Sequence, residues 1–349
     1  MDDLDFFADL LTTGTVLGLD HTSSPAEVER VYGPAATVDA PSGRITDGGL
    51  VEFGWWEGRV TYFGAQVHRL EFGVGKDDPL VGRYGPFRSV LDVDDLLAAA
   101  RARGFAPEEA PRWGAGNAGY AEYREPSTGV GVLYLVDPDE AGERGPAGRV
   151  AKMLGTGDDR RSTRWDAAEH RAVAARVRHL LTLDDPTSWL DGHEPVPGKE
   201  RTDWWRHLRL VVSNRYGVEP TAVVRRWRLR TALDRLAFER GVDTEAEAAL
   251  ALAGTSAEGR ELGLADVPPV ADAVERWLDA MEDEHAGARA LCGRHLVEAD
   301  EVRRARGLRN RIHEIAVHAP HVESEVLADR LRAWTDLRPL LLGPAEGRS

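Results

Sequence analysis

Several groups of residues in this chain carry side chains suited to chemistry, and their spacing decides what each can do. Gly114-Ala-Gly116-Asn-Ala-Gly119 has the letters of a dinucleotide fingerprint, in which a strand feeds a helix whose N-terminus meets a pyrophosphate. Here Pro111-Arg-Trp113 precedes the glycines and a strand pattern follows, so both flanks are wrong and no nucleotide cofactor is expected. His313-Glu314-Ile-Ala-Val-His318 invites comparison with a zinc-binding helix. Such a helix needs its histidines four residues apart, about 40° around the axis; a spacing of five puts them about 140° apart, and one zinc cannot be gripped by both. His285, Cys292, His295 and Glu298 fall near one helical face, but seven residues of helix separate side chains by about 10 Å. At most Cys292 and His295 supply two metal ligands, and a structural cysteine is the plainer reading.

Arg309-Asn310-Arg311-Ile312-His313 resembles the Arg-Asn…His signature of the HEPN ribonucleases, an all-helical family. The resemblance covers one helix and implies that an arginine and a histidine from paired subunits polarise an RNA phosphate and its 2′-hydroxyl. Arg309 to His313 leaves fewer residues between than that family keeps, whereas Arg306 to His313 and Arg311 to His318 each match it. A cation and an imidazole on one face suit acid–base cleavage; a solvated arginine-rich helix end gives the same letters. Trp204, Trp205 and Trp227 lie among Arg206, Arg209, Arg225, Arg226, Arg228 and Arg230, the mixture single-stranded nucleic acid favours. Val223, Trp227, Leu229, Leu233 and Leu236 are spread around their helix, leaving no continuous basic face. Buried tryptophans with arginine stems packed on them are expected instead.

The remaining candidates are aromatic. Trp55, Trp56, Tyr62, Phe63, Trp113, Tyr120 and Tyr123 cluster in the first half, with Glu57 beside the tryptophan pair. Two tryptophans in a Gly-flanked turn are hard to bury, and exposed tryptophans are favoured interface anchors. These eight residues are the expected partner-binding set.

The elements that must position them follow from periodicity. Residues 2–11 form a short helix, acidic at its start; Ser24-Pro25-Ala-Glu27 caps a second, which Gly33-Pro34 stops. Leu50–Phe53 and Arg59–Phe72 alternate as strands around a turn at Gly54–Gly58. The grammar then returns: a helix over Val93–Arg103, then strands at Tyr120–Tyr123 and Val130–Val136. A helix with an antiparallel meander, used twice over about 14–75 and 88–137, predicts a duplicated α+β domain spanning 1–137. Residues 138–164, with five Gly and two Pro, read as a linker. No alternating pattern is evident after Val136, and helical spacing such as Leu327, Leu331, Trp334 predicts an all-α domain over 165–342, with a flexible tail at 343–349.

Composition narrows the classes. The chain has 349 residues, 42% hydrophobic and 30% charged, which suits two globular domains. No apolar run approaches the ~18 residues a membrane helix needs, and the acidic start, Met1-Asp-Asp-Leu-Asp5, lacks the positive region of a secretory signal. With a single cysteine, a reducing cytoplasm is expected. Of the formal charge of −15, residues 1–150 carry −12, from 25 acidic and 13 basic side chains. That field repels phosphate backbones and steers basic partners inward. Arginine outnumbers lysine 41 to 3, which GC-rich coding explains without any ligand.

The run Leu17-Gly18-Leu-Asp-His-Thr-Ser-Ser-Pro25-Ala-Glu27-Val28 to Gly33-Pro34, with Gly49–Phe53 and Gln66–Leu70, resembles bacterial immunity proteins of polymorphic-toxin systems. Its opening is also similar to β-lactamase-inhibitor-like and SmpA-like modules, which pack a helical pair on an antiparallel sheet. Thr46-Asp47-Gly48-Gly49 replaces their usual aspartate-tyrosine-glycine element. The resemblance implies a non-enzymatic protein-binding protein whose acidic, ring-bearing sheet face caps a basic toxin or another protein. A HEPN-like ribonuclease and a nucleic-acid-binding regulator are the alternatives.

Overall fold

The computed structural model describes residues 1–33, 37–40, 43–56, 59–110, 119–143, 145–155, 167–183, 185–213 and 222–342. The chain divides into two compact units. Unit 1 holds residues 1–163 together with 290–310 and 339–349; unit 2 holds 164–289 and 311–338.

Unit 1 begins with α1 (Asp3–Thr13), whose N-terminus is closed by reciprocal hydrogen bonds between Asp2 and Asp5. Its residues from Phe6 to Thr13 are all buried, as befits a helix apolar around most of its circumference. Gly14 ends it in a left-handed conformation, φ 65°. A Cβ there would fall 1.7 Å from Arg306 Nη1, because Arg306 donates to the Thr13 carbonyl at 2.9 Å and the Thr128 carbonyl at 2.7 Å. A cation at a helix C-terminus satisfies orphan carbonyls and opposes the negative end of the helix dipole. Next come α2 (Pro25–Tyr32), with the Ser24–Glu27 capping box expected from its sequence, then α3 (Pro79–Tyr84) and α4 (Val93–Ala102).

The strands are β1 (Thr37–Ala40), β2 (Gly43–Asp47), β3 (Val51–Trp56), β4 (Arg59–Ala65), β5 (Glu108–Glu109), β6 (Tyr120–Arg124), β7 (Gly131–Leu135) and β8 (Val150–Gly155). They form one antiparallel sheet in the order β1-β2-β3-β4-β8-β7-β6-β5. Two four-stranded meanders, each preceded by a helix, therefore meet through their last strands. The expected α+β architecture is present, and the duplicated pattern extends further than its sequence spacing indicated.

Two boundaries differ from expectation. Residues 138–164 are not simply a linker: they hold α5 (Pro138–Ala141) and β8, which sits at the middle of the sheet between β4 and β7. Met153 and Val150 of β8 are fully buried; a six-residue strand that follows Gly148 and ends in Gly155 is too short for alternation to stand out. The strand predicted over Arg59–Phe72 stops at Ala65, and Val67–Phe72 is a 3-10 turn ended by Gly73 at φ 78°.

Unit 2 is helical, as expected: α6 (Ala167–Leu180), α7 (Thr187–His193), α8 (Lys199–Ser213), α9 (Val223–Glu239), α10 (Glu245–Glu261), α11 (Val270–Ala280), most of α12 (Glu284–Leu291), the end of α13 (Ala299–Ala316) and α14 (Glu325–Thr335). One core gathers Val173, Leu180, Leu190, Trp205, Leu208, Leu233 and Leu236. The helical domain expected over 165–342 thus loses 290–310 and 339–342 to unit 1. No helix of the described residues is long and apolar enough to cross a membrane.

Candidate protein-binding face

One face of the sheet is core. Val51, Phe53, Trp55, Phe63, Ala65, Val132 and Met153 are all buried, and Phe53 stacks on Trp55 at 6.2 Å and on Phe63 at 5.8 Å between centroids. Trp55 and Phe63 are therefore not the exposed anchors expected of them. Trp55 is 3% exposed, and its indole N–H donates to Thr46 Oγ1 at 3.2 Å. Strand β3 runs through Trp55 where a turn was expected, so its side chain takes the same inward parity as Val51 and Phe53. Trp56 belongs to β3, but its side chain, like Glu57 and Trp113, lies outside the described residues.

The opposite face is half-exposed and mixed. The strand register aligns Asp47, Glu52, Gly64, Leu154, Gly131 and Arg124 in one row across six strands, with Glu122, Leu133 and Lys152 in the next. Tyr62 lies down over Gly54, where a Cβ would come 2.1 Å from its ring. Burial first, then the Glu52 carboxylate, pushes the Tyr62 hydroxyl above its ordinary value. Tyr120 is also half-buried, whereas Tyr123, which stacks on Tyr134 at 5.4 Å, shares the parity of the buried Ala121 and Val132 and faces the core side. The carboxylates here have partners: Arg69 binds Asp47 at 2.8 Å and also Glu52, and Arg124 binds Glu122 at 2.7 Å. The face is thus charge-mixed where an acidic one was expected. Much of unit 1's acidity serves structure instead. Asp2, Asp78, Asp92 and Asp137 cap helices, and Asp3, Asp9 and Asp20 sit in ion pairs with Arg88, Arg103 and Arg309.

At the end of this face, beyond Asp47 and Arg69, opens a cavity of about 360 Å³ lined by Gly49, Leu50, His68, Phe72, the Gly73–Gly75 turn and Asp78. That volume lies in the range of small-ligand sites. Phe72 stands on it 80% exposed. Asp78 Oδ1 accepts from the Leu80 N–H at 2.8 Å, closing the N-terminus of α3. Burial holds its carboxyl above the ordinary carboxylate value in spite of that bond. Near it, the buried Tyr32 hydroxyl has no hydrogen-bond partner among the described residues; burial, then the charge of Asp78, pushes it well up. The sequence concealed this site because His68, Leu70 and Phe72 counterfeit strand alternation. The signal that could have found it is the Gly73-x-Gly75 break immediately after an aromatic residue.

The other candidates have structural duties. Arg309 is 2% exposed. Its Nε donates to Asp20 Oδ2 at 2.6 Å, and its other nitrogens reach the carbonyls of Gly18 at 2.5 Å and Leu341 at 3.2 Å. Burial alone would raise the Asp20 carboxyl, but the charges of Arg309 and His21 and bonds from Arg309 and Thr22 hold it well below the ordinary range. Arg306 closes α1, so neither arginine presents a guanidinium for RNA. Arg311 lies against Met281 at 3.7 Å and His313 is half-buried. His318 is buried, and burial, then the charge of His321, lowers its pKa. Among the described residues no three His, Cys, Asp or Glu side chains are placed to hold a metal. Cys292 is half-buried, and His295 Nε2 faces Asp9 Oδ1 at 3.3 Å. In unit 2 the arginines around the tryptophans are largely paired: Arg209 with Asp243, Arg226 with Glu258, Arg230 with Glu258 at 3.0 Å. Trp205 is buried and donates to Glu194 at 2.6 Å.

Comparison of the chain with protein-family models, with curated proteins and with solved structures finds no match in any of the three.

Proposed function

We propose that this is a non-enzymatic binding protein that uses the half-exposed face of the unit 1 sheet to recognise a second protein carrying basic side chains, in the cytoplasm. One observation carries the reading. That face combines apolar Ile45, Leu133 and Leu154 with charged pairs fixed at Asp47–Arg69–Glu52 and Glu122–Arg124, and it ends in a ligand-sized cavity beside the Asp78 carboxylate, which has no ion-pair partner among the described residues. Interfaces are built this way, with apolar centres, charged rims and one deep anchor point. The role agrees with what the resemblance to toxin-immunity proteins implies, although the anchors differ from those its sequence suggested.

The test is affinity purification of the tagged full chain from cross-linked cells, in parallel with Leu154→Asp in the sheet face and Val326→Asp on α14. A protein recovered in stoichiometric amount by the unaltered chain and by Val326→Asp, and lost at least tenfold by Leu154→Asp, is the expected result. Equal recovery by all three, or by none, contradicts the reading.

A further inference from the structure

The cavity beside the sheet face has the chemistry of one particular guest. Its polar wall holds two carboxylates, Asp47 and Asp78, against the single guanidinium of Arg69, which Asp47 and, from outside the cavity, Glu52 already engage. Lys76 and Asp77 are both exposed and of opposite sign on the adjoining turn. Asp78 spends Oδ1 on the α3 cap, while Oδ2 is directed toward Gly49, where an added Cβ would lie 3.7 Å from it. Gly49 is left-handed, φ 83°, and donates to Asp47 Oδ1 at 2.9 Å, so the loop keeps its backbone close and its side unobstructed. On the open side stands Phe72, an aromatic ring 80% exposed, in a cavity whose other apolar lining is Leu50 and Val74.

A planar cation with several N–H donors satisfies all of these at once. We propose that this cavity receives the guanidinium of an arginine side chain of the bound protein, with Asp78 and Asp47 as acceptors and the Phe72 ring stacked on its plane. A lysine ammonium supplies the charge but not the plane, and it holds its hydration more strongly. An apolar side chain would leave the Asp78 carboxylate without a countercharge. The inference rests on the protein-binding reading, and it adds the chemical identity of the anchoring residue.

The experiment titrates the full chain with N-acetyl-arginine-N-methylamide, its lysine counterpart, and the neutral isostere N-acetyl-citrulline-N-methylamide, following amide shifts of Gly49, Phe72 and Gly73 by NMR. Saturable binding of the arginine amide, at least tenfold tighter than citrulline and several-fold tighter than lysine, is the expected result. Asp78→Ser retains a good helix cap while deleting the carboxylate, and it should weaken the arginine amide at least tenfold. Phe72→Ala, at an exposed position, should weaken it three- to tenfold. Equal affinity for arginine and citrulline, no saturable shift, or unchanged binding by Asp78→Ser overturns the proposal. Leu154→Asp, outside the cavity, should leave the titration unaltered. Loss of the arginine site with face-dependent capture intact therefore refutes this inference alone, and the reverse outcome refutes the binding role.

Discussion

Asp20 and Asp78 are both carboxylates of unit 1, the first buried and the second half-buried, and the protein treats them in opposite ways. Asp20 has a guanidinium at 2.6 Å, a threonine hydroxyl at 2.5 Å and a backbone N–H at 2.8 Å, and its carboxyl is held well down. Asp78 has one backbone N–H and a cavity, and its carboxyl is pushed up. A buried charge that the fold needs is given its countercharge by the fold. One left beside an open cavity, as Asp78 is, has room for a countercharge from outside. The same contrast separates Trp55, sealed in the core, from Phe72, standing at the cavity mouth.

The contrast can be broken by substitution. Arg309→Ala leaves the Asp20 charge buried without its guanidinium, and should destabilise the protein by about 3–5 kcal/mol in denaturant unfolding. A loss under about 1 kcal/mol would mean that the pair is incidental. Trp55→Ala removes a core ring and should cost about 3–5 kcal/mol. Phe72→Ala should stay within about 0.5 kcal/mol of the unaltered chain; similar losses at both positions would erase the distinction between core and site.

Acid sharpens it further. The carboxyls of Asp3, Asp9 and Asp20 are held below their ordinary value of 3.8, so each contributes stability that is complete above that pH and is lost as pH falls toward the folded-state value. Each such group steepens the loss by up to about 1.4 kcal/mol per pH unit. Asp78 has the opposite sign: its carboxyl is raised, so protonating it on the way down favours the folded state. Asp78→Ser should therefore steepen the decline of stability as pH falls toward 3.8, read from urea midpoints at successive pH values. The smallest effect belongs to Tyr32→Phe. Deleting a buried hydroxyl that lacks a partner should leave stability unchanged or raise it by up to about 1 kcal/mol, whereas a loss above 1 kcal/mol would show that the hydroxyl is bonded within the fold.

What the sequence disclosed follows the range of the forces involved. Helix ends are local, and Ser24-Pro25…Glu27 marks its own correctly. So does the repeated helix-and-meander pattern, because alternation within β3, β6 and β7 is short-range. β8 escaped because its burial depends on β4 and β7, strands that precede it in sequence and close over it only in the fold. Trp55 looked exposed because a turn assigned to Gly54–Gly58 took it out of a strand that in fact continues through it. Arg309 looked catalytic because its partner, Asp20, is 289 residues away, a distance over which no local pattern signals a pairing.

The most direct measurement is the Asp78 carboxyl titration, followed by NMR in the full chain with and without saturating N-acetyl-arginine-N-methylamide. The account requires an apparent pKa above 3.8 in the free protein, moving down when the guanidinium binds, while that of Asp20 stays put. A free-protein value at or below 3.8, or one that the arginine amide does not move, would show that Asp78 already has its countercharge and that the cavity is not the anchor point of a binding face.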